Sequence, residues 1–195
     1  MAYQGQLEPV IQQRAEARAQ EQGLTDRGLN MTEAELGELH RLRNEINKHS
    51  AQLGDYAAES YVQSRFSDAE QVTRLYGGAD QPNRAGDFDQ VWCVTLKTGE
   101  VHLVIIEAKG GSSPLGSRMT RAGRAQQGTP EYMNEIIEIM RGNRNNTAVM
   151  DAVDSALRDR TLTCMEVRAP VRSGTGGDES VGIEASDFIL RPGQP

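Results

Sequence analysis

Apolar and polar positions change period several times along the chain. Val91, Cys93 and Thr95 alternate with Gln90, Trp92, Val94 and Leu96, a period-two run of β-branched and aromatic residues that predicts a strand. Lys97 to Glu100 follows as a turn with Gly99 in its third place, where a positive φ costs glycine little. Val101 to Ile106 is almost uniformly apolar, as expected of a central strand covered on both faces. These two runs predict a hairpin.

Upstream the period is helical. Leu7 to Gly23 is rich in Gln, Ala, Arg and Glu, helical by propensity but with few apolar anchors. Gly23 to Asn30 interrupts it. Thr32-Glu-Ala-Glu35 has the form of a capping box, and Leu36, Leu39, Leu42, Ile46 and Leu53 behind it keep one apolar stripe. Gly54-Asp55 reads as a break and a fresh N-cap, starting a second helix over Tyr56 to Phe66, with Ser67 to Leu75 as its continuation. On this pattern residues 1–52 are an N-terminal helical extension or linker, and residues 53–195 are the main domain. Tyr76 to Gly86 is a loop dense in Gly, Pro, Asn and Asp.

Downstream of the hairpin, Thr129-Pro130-Glu131 is a helix start: N-cap hydroxyl, proline in the first helical place, acid in the first turn. Tyr132, Met133, Ile136, Ile137 and Met140 form its apolar stripe. Arg141 to Asn146 is a turn, Thr147 to Arg158 a further helix, and Thr161 to Ala169 a strand. Ser173 to Ser180 reads as a flexible loop, Val181 to Leu190 as a last short strand, and Arg191 to Pro195 as a tail. Helices before, between and after a few strands give an α/β or α+β core, a small mixed sheet flanked by helices.

Composition narrows the chemistry. The 195 residues carry a net charge of −7, which counts against a nucleic-acid binder, since phosphate contact is mainly electrostatic. The cations are unevenly spread, however, and Arg118, Arg121 and Arg124 gather just after the hairpin. Cys93 and Cys164, each in an apolar run, read as two buried free thiols, with a disulfide as the alternative if both lie in one sheet; two cysteines do not make a framework. His40, His49 and His102 are too scattered for a metal cluster. No Gly-x-Ser-x-Gly, His-Glu-x-x-His or Cys-x-x-Cys motif occurs, so serine-hydrolase, zinc-protease and thioredoxin chemistry are set aside. No apolar run reaches the length of a membrane span, and the first residues lack the blocks of a signal peptide.

The apolar strand ends in Glu107-Ala108-Lys109. Two residues apart on a strand, the acid and the base share a face, and charge at the end of a buried element is costly unless it is paired or holds an ion. Asp89 lies eighteen residues ahead of Glu107, at the start of the first strand of the hairpin. A hairpin brings that position next to the end of its second strand. Two carboxylates and an ammonium at one point suit a hard divalent cation, with the lysine free to orient a metal-bound water or offset phosphate charge. Gly110 to Ser117 is small and flexible. The plainer alternatives are an ordinary surface loop and a satisfied ion-pair network.

Asp89 with Glu107-Ala108-Lys109 resembles the D…(D/E)xK signature of the restriction-endonuclease-like nuclease superfamily. The wider stretch from Glu107 to Arg118, with Arg124 to Tyr132, is similar to nuclease toxin domains that end bacterial polymorphic toxins. The resemblance implies a restriction-endonuclease-like core and a Mg²⁺-dependent nuclease, with Mn²⁺ as a substitute. Asp89 and Glu107 would hold the metal, and Lys109 would assist the attacking water. Glu59, on the first core helix, would complete the metal site. Gln127 would face it, and Arg118, Arg121 and Arg124 would hold nucleic acid. The chain would then be a delivered antibacterial effector that cleaves DNA in a target cell and is neutralised by an immunity protein. One departure stands out: Phe88 replaces the proline before the first acid, which leaves Asp87 as a rival ligand. Asp89 is preferred because it directly precedes the strand and follows an apolar residue able to pin the backbone. An RNase, or a non-catalytic binding module on the same fold, is the alternative.

Overall fold

The computed structural model describes residues 2–28, 31–78, 84, 86–174 and 177–188. The expected tail from Arg191 to Pro195, the end of the expected last strand and much of the Tyr76–Gly86 loop lie outside them. Two long helices, α1 (Ala2–Thr25) and α2 (Glu33–Arg65), lead into a five-stranded sheet. Its strands are β1 (Gln71–Gly77), β2 (Gln90–Thr95), β3 (Val101–Gly110), β6 (Leu162–Ala169) and β9 (Glu184–Asp187), lying side by side in that order. Between β3 and β6 the chain makes a small hairpin, β4 (Ser117–Thr120) and β5 (Gly123–Gln126), and then two helices, α3 (Pro130–Arg141) and α4 (Thr147–Asp159). β1, β2 and β3 are antiparallel, β3 and β6 parallel, β6 and β9 antiparallel. The sheet is mixed and the class is α/β in the α+β sense.

The sheet is covered on both faces, which is why β3 is a continuous apolar run. Val104 and Ile106 pack with Leu53, Ala57, Ala58 and Val62 of α2. Leu103 and Ile105, pointing the other way, pack with Met133, Ile136 and Ile137 of α3 and Val149 and Val153 of α4. The turn between β2 and β3 forms where expected: Leu96 N donates to Glu100 O at 2.8 Å, and Gly99 takes a φ of 84°. The capping box at α2 also forms, Thr32 N donating to Glu35 Oε2 at 2.8 Å and Glu35 N to Thr32 Oγ1 at 3.3 Å.

Four local expectations are corrected. Gly54 does not break the helix, because α2 runs unbroken through the division drawn between residues 52 and 53. Gly54 is there for proximity: a Cβ on it would stand 2.9 Å from Lys109 N and 3.0 Å from Ala108 C, and one on Gly110 would collide with Ser50 O. The two glycines let helix and strand backbones touch. Residues 71–77 form β1 rather than helix; the β-branched Val72 and Thr73 sit on a ladder with β2, and that long-range pairing overrides local preference. The expected loop over 173–180 gives way to strand at both ends, since β7 (Val171–Gly174) pairs with β8 (Gly177–Ser180); residues 175–176 lie outside the described residues. Lastly, α1 buries more than its sequence suggests: Leu7 and Val10 join the α2-side core, and buried Arg14 donates its Nε to Ser50 Oγ at 2.9 Å. Among the described residues no helix is long and apolar enough to cross a membrane.

Candidate active site

Asp89 stands at the threshold of β2, and its neighbour fixes it there. Phe88 is fully buried and donates its backbone N–H to Met140 Sδ at 3.5 Å, so the residue in the proline's place anchors the chain by packing. Asp89 Oδ2 accepts from Ala108 N at 2.9 Å, which ties the acid to the far strand of the hairpin. On β3, Glu107 and Lys109 alternate with Ile106 and Ala108 and so continue the face of Leu103 and Ile105. Lys109 Nζ lies 3.8 Å from Asp89 Oδ2 and 3.7 Å from Glu107 Oε2. The three converge. Asp87, the rival, accepts a short hydrogen bond from the Tyr76 hydroxyl instead.

Gln127 reaches the same point from the end of β5. Its Nε2 donates to Glu107 Oε2 at 2.6 Å, while its Oε1 accepts from Gly116 N at 2.5 Å. Its own N–H donates to Gly116 O at 2.9 Å, so the amide is held at both ends and aimed at the carboxylate. Glu107 is buried, and burial, followed by the nearby Asp89 charge, raises its pKa to about 8 against the opposing pull of Lys109. An acid so placed keeps its proton near neutrality, yet a cation at that point would favour its charged form. Tyr132 borders the cluster, its pKa raised by burial first and then by Glu107. Beneath, burial and then Glu107 push the Cys164 thiol to about 12, which makes it inert. Cys164 and the half-buried Cys93 are both free thiols.

Glu59 is not brought to this cluster. α2 covers the opposite face of the sheet, and Glu59 Oε2 there meets Arg74 Nη1 at 3.2 Å with the side chain 44% exposed. The three arginines do not form one strip, because they lie on a hairpin rather than a helix. Arg118 turns inward, its guanidinium 6.0 Å from the Tyr132 ring centre, and its buried Nε has no hydrogen-bond partner among the described residues. Arg121 sits in the turn. Arg124 faces outward, donating to Ser117 Oγ at 2.8 Å.

Two residues were missed. In the parallel register Glu107 stands beside Glu166, and Lys109 beside Arg168. Arg168 pairs closely with Glu166 and donates Nη1 to Ser113 O at 2.7 Å, in the glycine-rich exit from β3. The signal was present, since Glu166-Val167-Arg168 repeats the spacing of Glu107-Ala108-Lys109 at the end of the other apolar strand. Among the described residues no three or more His, Cys, Asp or Glu side chains are grouped to hold a metal ion. What the site offers is a pair of carboxylates, the number Mg²⁺ takes where phosphate and water complete its shell. No family model, curated protein or solved structure matches this chain.

Proposed function

We propose that Asp89, Glu107 and Lys109 form the centre of a Mg²⁺-dependent nuclease acting on DNA, on a core of the restriction-endonuclease-like kind. One observation carries the reading: a buried carboxylate and a second acid meet at one ammonium on the covered face of a hairpin. Keeping an acid there that burial disfavours is costly for the fold. A purely structural role would be met as well by an apolar side chain. The donor set suits a hard cation, with Asp89 and Glu107 as its ligands and Mn²⁺ as the substitute. Bound there, the cation would supply Lewis-acid polarisation of a phosphate and acidify a water. Lys109, equidistant from both acids, orients the attacking water and offsets charge on the phosphate. Gln127 holds Glu107 in place. Arg118, with an unpartnered Nε and its guanidinium beside Tyr132, is the arginine we assign to the scissile phosphate.

By resemblance the same reading makes the chain the toxic domain of a delivered antibacterial effector, restrained in its producer by an immunity protein. A second reading, a nucleic-acid or protein binding module without turnover, is favoured by Glu59, whose engagement with Arg74 leaves the site one acid short. The deciding experiment incubates the purified chain with supercoiled plasmid and with total RNA, in Mg²⁺ and in EDTA, beside Lys109→Ala. Plasmid loss requiring both metal and Lys109 is the expected result. RNA loss alone changes the substrate, and no cleavage of either leaves the binding module.

A further inference from the structure

The β4–β5 hairpin is inserted between two residues of the candidate site, leaving β3 just after Lys109 and returning at Gln127. From Gly110 to Thr129 the chain carries three arginines and no acid, although the whole protein has a net charge of −7. Arg118 and its cross-strand partner Ala125 face inward. The other face pairs Met119 with Arg124 and Ser117 with Gln126, all four exposed. Met119 is 66% exposed, more than any other large apolar side chain among the described residues. Burial does not account for it.

We propose that this outer face is a reading head for the major groove of duplex DNA. A two-stranded ribbon fits a groove about 12 Å wide, and its side chains are those that recognise base edges there: arginine for guanine, glutamine for adenine, an apolar group for the thymine methyl. Arg124 is pre-oriented by its bond to Ser117. The approach is one-sided. Under the tip of the hairpin the turn residues Thr120, Arg121 and Ala122 share a cleft with Glu131, Glu135 and Glu138 of α3, whose charges repel a phosphate backbone there. The ribbon's base is bolted to the site through Gln127, so a groove that holds the ribbon presents its flanking phosphates to Glu107 and Lys109. A-form RNA has a deep, narrow major groove that side chains cannot read, so the same head selects DNA over RNA.

This inference rests on the nuclease reading for its substrate, and binding tests it without turnover. The full chain in EDTA is titrated against a labelled DNA duplex and an RNA duplex of the same sequence, following anisotropy, with the exposed-site variants Arg124→Ala, Arg124→Lys and Met119→Ser. DNA is expected to bind roughly tenfold tighter than RNA, and Arg124→Ala to lose about tenfold on DNA alone. Arg124→Lys should fail nearly as badly, because lysine keeps the charge but not the two-pronged contact. Met119→Ser should weaken DNA binding and relax its sequence preference. Equal affinity for the two duplexes, or an Arg124→Lys chain that binds like the parent, overturns the proposal. Adding Mg²⁺ then separates the two claims: cleavage untouched by the hairpin variants removes the reading head and keeps the nuclease. Hairpin-dependent binding without cleavage does the reverse.

Discussion

Glu107 and Glu166 stand side by side in the parallel register of β3 and β6, each followed two residues later by a base. Both acids are buried, and the protein handles them differently. Glu166 is neutralised by Arg168 at close range. Glu107 has no such partner: Lys109 stands off at 3.7 Å, shared with Asp89, and the carboxyl pKa rises to about 8. The two acid–base pairs thus share one sequence pattern and differ in how close the base stands to its acid.

A pH dependence follows. The folded pKa of Glu107 lies above the ordinary carboxyl value, so its contribution to stability is complete below about pH 4.5 and is lost as pH rises through about 8. Glu107→Gln holds the site neutral throughout. It should match the parent near pH 4.5 in urea unfolding and exceed it at pH 9, by a few kcal/mol at most. Mg²⁺ should stabilise the parent increasingly up to about pH 8 and the variant very little. Parallel pH profiles for the two proteins would contradict the burial of a protonated acid.

Arg168 offers a contrasting test. Its removal leaves Glu166 buried without its counter-charge and frees Ser113, so Arg168→Met should cost about 3 kcal/mol in denaturant unfolding. Replacing both partners with apolar residues should recover most of that loss. If the single variant is neutral, the pair is solvated in solution.

How much of this was legible divides by range. The β2–β3 hairpin, the capping box at Thr32 and the start of α3 at Thr129 are set by neighbours a few residues apart, and they could be read directly. So could the meeting of Asp89 with Glu107, because a hairpin of known turn fixes its register. β1 could not, since its identity depends on pairing with β2 across the Tyr76–Gly86 segment. The placing of Glu59 was hidden for the same reason: nothing local says which face of the sheet its helix covers, and its carboxylate meets Arg74 there. Arg118, Arg121 and Arg124 were legible as a cluster but not in their directions, because spacing by three looks alike on a helix and a hairpin while the side chains diverge.

Gly54 shows how a single residue misleads when read locally. In an exposed helix alanine would be worth about 1 kcal/mol more than glycine. Here the added Cβ meets the Lys109 and Ala108 backbone at 2.9 and 3.0 Å, and a strand cannot yield as a side chain can. Gly54→Ala should therefore destabilise by about 1–3 kcal/mol and, by pushing β3 outward, disturb Lys109 and reduce cleavage. A gain in melting temperature would mean that helix and strand are not in contact.

The choice between Asp87 and Asp89 can be made by pairing two readouts. Asp89 bonds Ala108 N and faces Lys109, whereas Asp87 is engaged by the Tyr76 hydroxyl, whose pKa burial and then Asp87 raise to about 12. Asp89→Asn should reduce metal-dependent cleavage by roughly 100-fold or more, the loss expected when a group acting on the transition state is removed. Asp87→Asn should leave cleavage within a few-fold, cost about 1 kcal/mol of stability, and bring the highest tyrosine titration down toward the ordinary value. Ultraviolet absorbance against pH follows the tyrosine, and plasmid cleavage follows the site. Should Asp87→Asn abolish cleavage while Asp89→Asn retains it, the metal position moves one side chain toward Tyr76 and the ligand assignment is reversed.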